Sequence, residues 1–200
     1  MSELRFETLR MPGADVGPEN PLPPLSRGGN RHMDRTKYVG FADEMLEQMA
    51  YGHPDNYLPY TMQDRYGRQL RDRDFHVAVL QNDTLKATFL LELGGRLRSL
   101  IHKPTGRELL EANPIFQPAN LAVRNAWFSG GVEWNIGMLG HFPLTCAPLF
   151  AGRVTTPDGT PVLRMWDRRQ LYDEHRSGVR LLLPRRHRGG ATSLGECSRW

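Results

Sequence analysis

From Asp74 onward the apolar positions fall in short runs and every-second-residue alternations, the pattern of strands rather than helices. FHVAVLQ (75–81) precedes Asn82-Asp83, and TLKATFLLEL (84–93) follows, with Leu85, Ala87, Phe89 and Leu91 on one face. Asn and Asp both tolerate left-handed backbone, so this pair between two apolar runs predicts a hairpin. Gly94-Gly95 interrupts the pattern at a tight bend or a close strand approach. RLRSLIH (96–102) then predicts a third strand, Pro104-Thr105-Gly106 a turn, and RELLEA (107–112) a fourth strand. LAVRNAWF (121–128) is strand-like before Gly130-Gly131, and PLTCAPLFAGRVTT with TPVLRMW forms one more hairpin around Pro157-Asp158-Gly159. About seven or eight strands result, the number of a sandwich.

The ends of the chain differ from this centre. Residues 11–35 are rich in proline and glycine, which deny the backbone helix and ladder bonding, so an irregular arm is expected there. Phe41, Met45 and Met49 recur at fourfold spacing between glycines, which predicts a short amphipathic helix with this stripe in the core. After Trp166 only GVRLLL reads as a strand, among arginines, glycines and serines, with no evident core partner. The organisation expected is an arm with a short helix over 1–57, a sandwich over 58–166 and a basic tail over 167–200. The predicted fold class is all-β, an antiparallel β-sandwich, incomplete at its C-terminal end, with a short N-terminal helix.

Composition agrees, since 20 glycines and 15 prolines in 200 residues favour many short elements joined by turns. The net charge of +4 is local: from Arg164 onward nine arginines face four carboxylates, which leaves the remainder near neutral. Nucleic acid is therefore not an expected partner of the domain. No apolar run reaches the roughly 18 residues of a membrane span, and the first residues lack a secretory apolar stretch, so a soluble cytoplasmic protein is expected. Cys146 and Cys197 are single and far apart, and no glycine-rich phosphate loop or metal-ligand spacing occurs, so no cofactor or metal is expected. The sequence says nothing of oligomeric state.

The chemistry-bearing residues concentrate between Asn113 and His141: Gln117, Asn120, Arg124, Asn125, Trp127, Glu133, Trp134, Asn135 and His141. Amides, a carboxylate and an arginine can read the fixed hydroxyls of a sugar while tryptophans cover its C–H faces. The same residues also suit a structural reading, with Asn and Gly shaping turns, Trp filling the core and Arg124 pairing with Glu133. Strand alternation aligns Asn125 with Trp127 and Glu133 with Asn135, and Gly130-Gly131 lets the chain reverse between the pairs. Arg124, Asn125, Trp127, Glu133, Asn135 and His141 are accordingly expected to converge on one concave face.

The motifs GGRLRSLIHKPTGRELL, NPIFQPANLAVRNAWFSGGVEWNIGMLGH, TCAPLFAG and DGTPVLRMW closely resemble a bacterial family, the domain of unknown function numbered 5107, often found ahead of tetratricopeptide repeats. The likeness runs from about Leu58 to Trp166, where the composition departs towards one that a frameshift or early stop would generate. That family looks like a relative of the galactose-mutarotase and aldose-epimerase superfamily. The resemblance implies a sugar or oligosaccharide as partner, bound on one face of an antiparallel sandwich. Mutarotation requires a general acid and a general base, His and Glu in that superfamily, and His141 and Glu133 are the available types. The superfamily's carboxylate base comes late in the domain, which leaves catalysis by this chain in doubt and favours recognition. The alternatives are a glycoside-processing enzyme, with Glu133 paired to a second carboxylate, or an interaction module acting through appended repeats or the basic tail.

Overall fold

The computed structural model describes residues 2–22, 39–50, 60–134, 141–167 and 178–181. Along the chain run β1 (Glu3–Gly13), α1 (Asp43–Ala50), β2 (Arg71–Gln81), β3 (Leu85–Leu90), β4 (Arg96–His102), β5 (Arg107–Glu108), β6 (Ala119–Ala122), β7 (Asn125–Trp127), β8 (Phe150–Thr155), β9 (Pro161–Trp166) and β10 (Gly178–Leu181). They form a five-stranded sheet in the order β1-β2-β3-β4-β5, a three-stranded sheet β10-β9-β8 and the hairpin β6-β7, with all named pairs antiparallel. An antiparallel β-sandwich is thus observed.

The centre of the five-stranded sheet is buried on both faces, which explains why VAVL (77–80) is apolar without interruption while His76 before it is exposed. Leu4, Ala78, Leu80, Ala87 and Phe89 pack on Leu163 and Met165 of β9. On the opposite face Phe75, Val77, Val79 and Leu90 meet Phe116, Ala126, Phe128 and Cys146, so the β6-β7 hairpin and its flanking loops make a second cover. Register agrees with this division, because Val77 pairs with Leu90 and Ala78 with Phe89. Burying each large apolar side chain contributes about 1.5–3 kcal/mol, and these two clusters hold most of them.

The predicted hairpin at Asn82-Asp83 forms, for a different reason. Asn125, at φ 76°, is the one non-glycine residue with positive φ among the described residues, so Asn82 does not use left-handed backbone. Instead its Oδ1 accepts from the N–H groups of Thr84 and Leu85 at 2.8 and 2.7 Å. Gly94 and Gly95 serve both expected purposes: φ is +66° and +63°, and a Cβ at Gly94 would lie 2.9 Å from the Leu144 carbonyl oxygen. RELLEA pairs only over Arg107–Glu108, because Glu108 turns its carboxylate back onto Ser99 and the N–H groups of Leu100 and Leu110.

Three expectations change at the ends. The arm read over residues 1–57 opens with an eleven-residue strand, β1, paired with β2 along its whole length. Its charges Glu3, Arg5 and Glu7 pair with one another on an outermost strand, a common guard against edge-to-edge association. Helix α1 forms, yet Phe41 and Met45 are 46% and 50% exposed while Leu46 is buried, so the stripe is rotated away from the core; the Met49 side chain lies outside the described residues. GVRLLL does find a partner: Gly178–Leu181 pairs with Trp166–Leu163 of β9. No helix of the described residues is long and apolar enough to cross a membrane.

Candidate functional site

The β6-β7 hairpin sets the geometry. Ala126 is fully buried, so strand alternation turns its neighbour Trp127 to the other side, where it is half-buried. Gly130 and Gly131 then reverse the chain at φ +95° and +66°. A Cβ at Gly131 would stand 2.2 Å from the Leu97 carbonyl oxygen, so only glycine allows the Leu97–Val132 backbone pair that follows. This reversal returns Glu133 to Trp127.

Glu133 is the centre of the cluster. Its Oε2 accepts from Trp127 Nε1 at 2.7 Å and lies 3.0 Å from His141 Nδ1, while Oε1 accepts from the Phe142 N–H at 2.7 Å. Arg96 approaches the same carboxylate at 3.5 Å. Arg96 is 3% exposed and donates to the carbonyls of Phe128 and Gly130 and to Thr145 Oγ1. Its guanidinium lies 3.8 Å over the Phe128 ring. Burial pulls its pKa down and Glu133 pulls it back up; an arginine so placed keeps its charge. The Nδ1 contact turns one polar edge of the His141 ring to Glu133 and leaves Nε2 as its other polar edge. The His141 side chain is 41% exposed and its ring centroid stands 5.0 Å from that of Trp127.

The other candidates disperse. Arg124, 1% exposed, donates to Thr61 O, Pro143 O and Glu19 Oε1, at 2.7, 3.0 and 2.6 Å, and so ties three segments together inside the protein. It does not face the Glu133 cluster, and its carboxylate partner is Glu19 rather than Glu133. Trp134 donates to Gly95 O and stacks on Phe89, within the core. Gln117 donates to the carbonyls of Gly67 and Pro118, Asn120 accepts from Tyr66 Oη, and Asn125 supplies the left-handed backbone that opens β7. Asn135 lies outside the described residues. Of the six residues expected on one face, Trp127, Glu133 and His141 come together. Two open clefts among the described residues, of about 460 and 430 Å³, are lined by other residues.

Sequence reasoning missed Arg96, whose only signal was its place directly after Gly94-Gly95, and Glu19, which lies within the segment read as an arm. Cys146 is a free thiol, buried near Arg96, Glu133 and Arg124, and burial pushes its pKa up to about 12. No group of three or more His, Cys, Asp or Glu able to hold a metal ion occurs among the described residues.

Residues 53–187 match the family described as Domain of unknown function (DUF5107). The chain belongs to this family. The match extends past Trp166, where the sequence reading ended the likeness, and takes in β10, so the DUF5107 region and the observed pairing agree on the far side of that residue. A solved TPR-domain containing protein from Parabacteroides distasonis is similar in structure, with a TM-score of 0.58 and 17% identity, over 84% of this chain and 24% of that one. At that identity the likeness concerns the fold, and this chain spans about a quarter of that protein's length.

Proposed function

We propose that this DUF5107 domain recognises a carbohydrate on the surface formed by Trp127 and His141, as a binding module. The observation that carries the reading is a partly exposed aromatic pair whose polar edges are fixed by one carboxylate. A pyranose offers an apolar C–H face to such a ring and hydroxyls, which both donate and accept, to Nε2 of His141. The galactose-mutarotase resemblance of the motifs points to the same ligand class.

Binding is favoured over bond cleavage because Glu133 is committed to three hydrogen bonds and an ion pair. A two-carboxylate mechanism also wants a partner across the scissile bond. Glu108 is engaged by Ser99 and Leu100, and Asp158 by Thr156 and Thr160 of its own turn.

The test is ligand-observed NMR with the full chain against a panel of mono- and oligosaccharides, followed by titration of any binder. Trp127→Leu and His141→Ala should each weaken binding about tenfold, the worth of a stacking contact or a good hydrogen bond. Failure of every saccharide to bind at about 10 mM, a concentration that detects even very weak complexes, would overturn the proposal.

A further inference from the structure

We infer that the cleft between β1–β2 and the start of β8 is a second binding site, for a small organic ammonium ion with an apolar body. The cleft exists because the two sheets differ in length. β1 and β2 pair over eleven residues, whereas β8 and β9 have six each. Leu4 and Ala78 therefore pack on Leu163 and Met165, while Phe6, Thr8 and His76, which strand alternation puts on the same face, run out beyond that cover and are exposed. Pro148, Leu149 and Ala151 face them across a space of about 460 Å³, within the range of small-molecule sites, with Leu91 and Glu92 alongside.

Most of this lining is apolar, and the ring of Phe6, 49% exposed, is its largest open surface. Glu92 supplies the charge. Its Oε1 accepts from the His76 N–H at 3.2 Å and contacts His76 Nδ1, while Oε2 makes no hydrogen bond among the described residues. Glu92 also lines the neighbouring cleft, but its contact is with His76, which lines this one alone, so the carboxylate is held on this side. The Glu92 side chain is 34% exposed and so within reach of a ligand arriving from solvent. Glu7, the other acid of the lining, is engaged by Arg5 at 2.7 Å, and no arginine or lysine among the described residues borders the cleft. A carboxylate oxygen with open space beside it and no such cation against it selects a cationic donor. The face of Phe6 attracts the same cation, and the apolar wall takes the ligand's body. An anion would meet Glu92 as a like charge. None of these residues belongs to the Trp127–Glu133–His141 cluster, so the inference stands independently of the carbohydrate reading.

The experiment varies the ligand's charge on a constant body. The full chain is titrated with phenethylammonium, with phenethyl alcohol, which has the same body and no charge, and with phenylpropionate, which reverses the charge, and chemical shifts are followed by NMR. The ammonium should bind about tenfold more tightly than the alcohol, the worth of one charge-assisted contact, and the anion most weakly. Glu92→Gln, which keeps the shape and removes the charge, should bring the ammonium and the alcohol to the same affinity. Phe6→Ala should weaken both, and because Phe6 lines this cleft and not its neighbour, that loss assigns the probes to it. Both side chains are partly exposed, so neither change empties the core. Trp127→Leu should leave the ammonium unaffected, which distinguishes this cleft from the surface proposed above. Equal binding of ammonium and alcohol, tighter binding of phenylpropionate, or no binding of the ammonium at about 20 mM would overturn the inference. So would a preference that survives Glu92→Gln in a folded protein, or an affinity that Phe6→Ala leaves unchanged.

Discussion

Replacing Glu133 by Gln tests whether this carboxylate holds the site together. The change keeps the shape but removes the charge opposite Arg96, which is 3% exposed and 3.5 Å away. At an effective dielectric of about 20, two unit charges at that separation attract by about 5 kcal/mol, an upper limit for the loss because Gln retains an oxygen for one donor. Charge-assisted hydrogen bonds from Trp127 and the Phe142 N–H also weaken to ordinary ones. Breaking one side of a buried pair costs about 3–5 kcal/mol in general. The partial exposure of Glu133, 13%, brings the expected loss to about 2–4 kcal/mol, a large share of the 5–15 kcal/mol of an ordinary domain.

Urea unfolding of the full chain, followed by tryptophan fluorescence, measures this directly. With a slope of about 2 kcal/mol per molar, the midpoint should fall by about 1–2 M. Arg96→Met alone should also destabilise, and the double variant should lose less than the sum, with a coupling above about 1 kcal/mol. A loss below about 1 kcal/mol for Glu133→Gln, or strict additivity in the cycle, would refute the picture of a buried ionic node.

Three further outcomes follow from the geometry. Gly131→Ala should cost more than about 2 kcal/mol and Gly106→Ala only about 1 kcal/mol, since both have φ +66° but only Gly131 would place a Cβ against backbone; equal losses in urea titration would count against the close approach. Burial raises the Glu108 pKa, but hydrogen bonds from Ser99 and the N–H groups of Leu100 and Leu110 outweigh it and hold the group below its ordinary 4.5. A depressed folded pKa gives stability that is present above about pH 4.5 and lost as pH falls through the folded value, so Glu108→Gln should flatten the acid limb of a stability–pH curve; an unchanged limb would show the bonds are not made. A chain ending after Asp167 should be less stable and more prone to self-associate than the full chain, because β9 would lose the strand on one of its edges; indistinguishable urea midpoints and elution volumes would show that β10 contributes nothing.

The centre of the fold was legible because it obeys local rules. The runs around Phe75–Gln81 and Leu85–Leu90 could satisfy themselves only as strands, and the turn between them carries Asn82, whose side chain closes it. β1 was hidden because ELRFETLRMPG is an edge strand rich in charges whose apolar residues fall on both faces, Leu4 on one and Leu9 with Met11 on the other, so no single alternation shows. The helix stripe failed because fourfold spacing defines a face without saying which way that face turns, and Leu46, one residue away, takes the core position. The site was half legible: the residue types between Asn113 and His141 stood out, while the partners Arg96 and Glu19 come from distant segments that no local pattern connects.

The same partners explain why the segment is so polar. Residues 128–134 and 141–149 pair with neighbouring strands only at isolated points, yet much of their backbone is buried, and buried carbonyls need donors. Two buried guanidiniums supply them from fixed positions: Arg96 reaches the carbonyls of Phe128 and Gly130 with Thr145, and Arg124 reaches those of Thr61 and Pro143. Glu133 and Glu19 then balance the two charges. Once these demands are met, Arg124, Gln117 and Trp134 are accounted for by structure, and little of the polar cluster is left to face a ligand. What remains is the Trp127–His141 surface. It borders the irregular cover of the five-stranded sheet rather than its regular strands, where loop backbone can be shaped to a ligand without disturbing the ladder beneath.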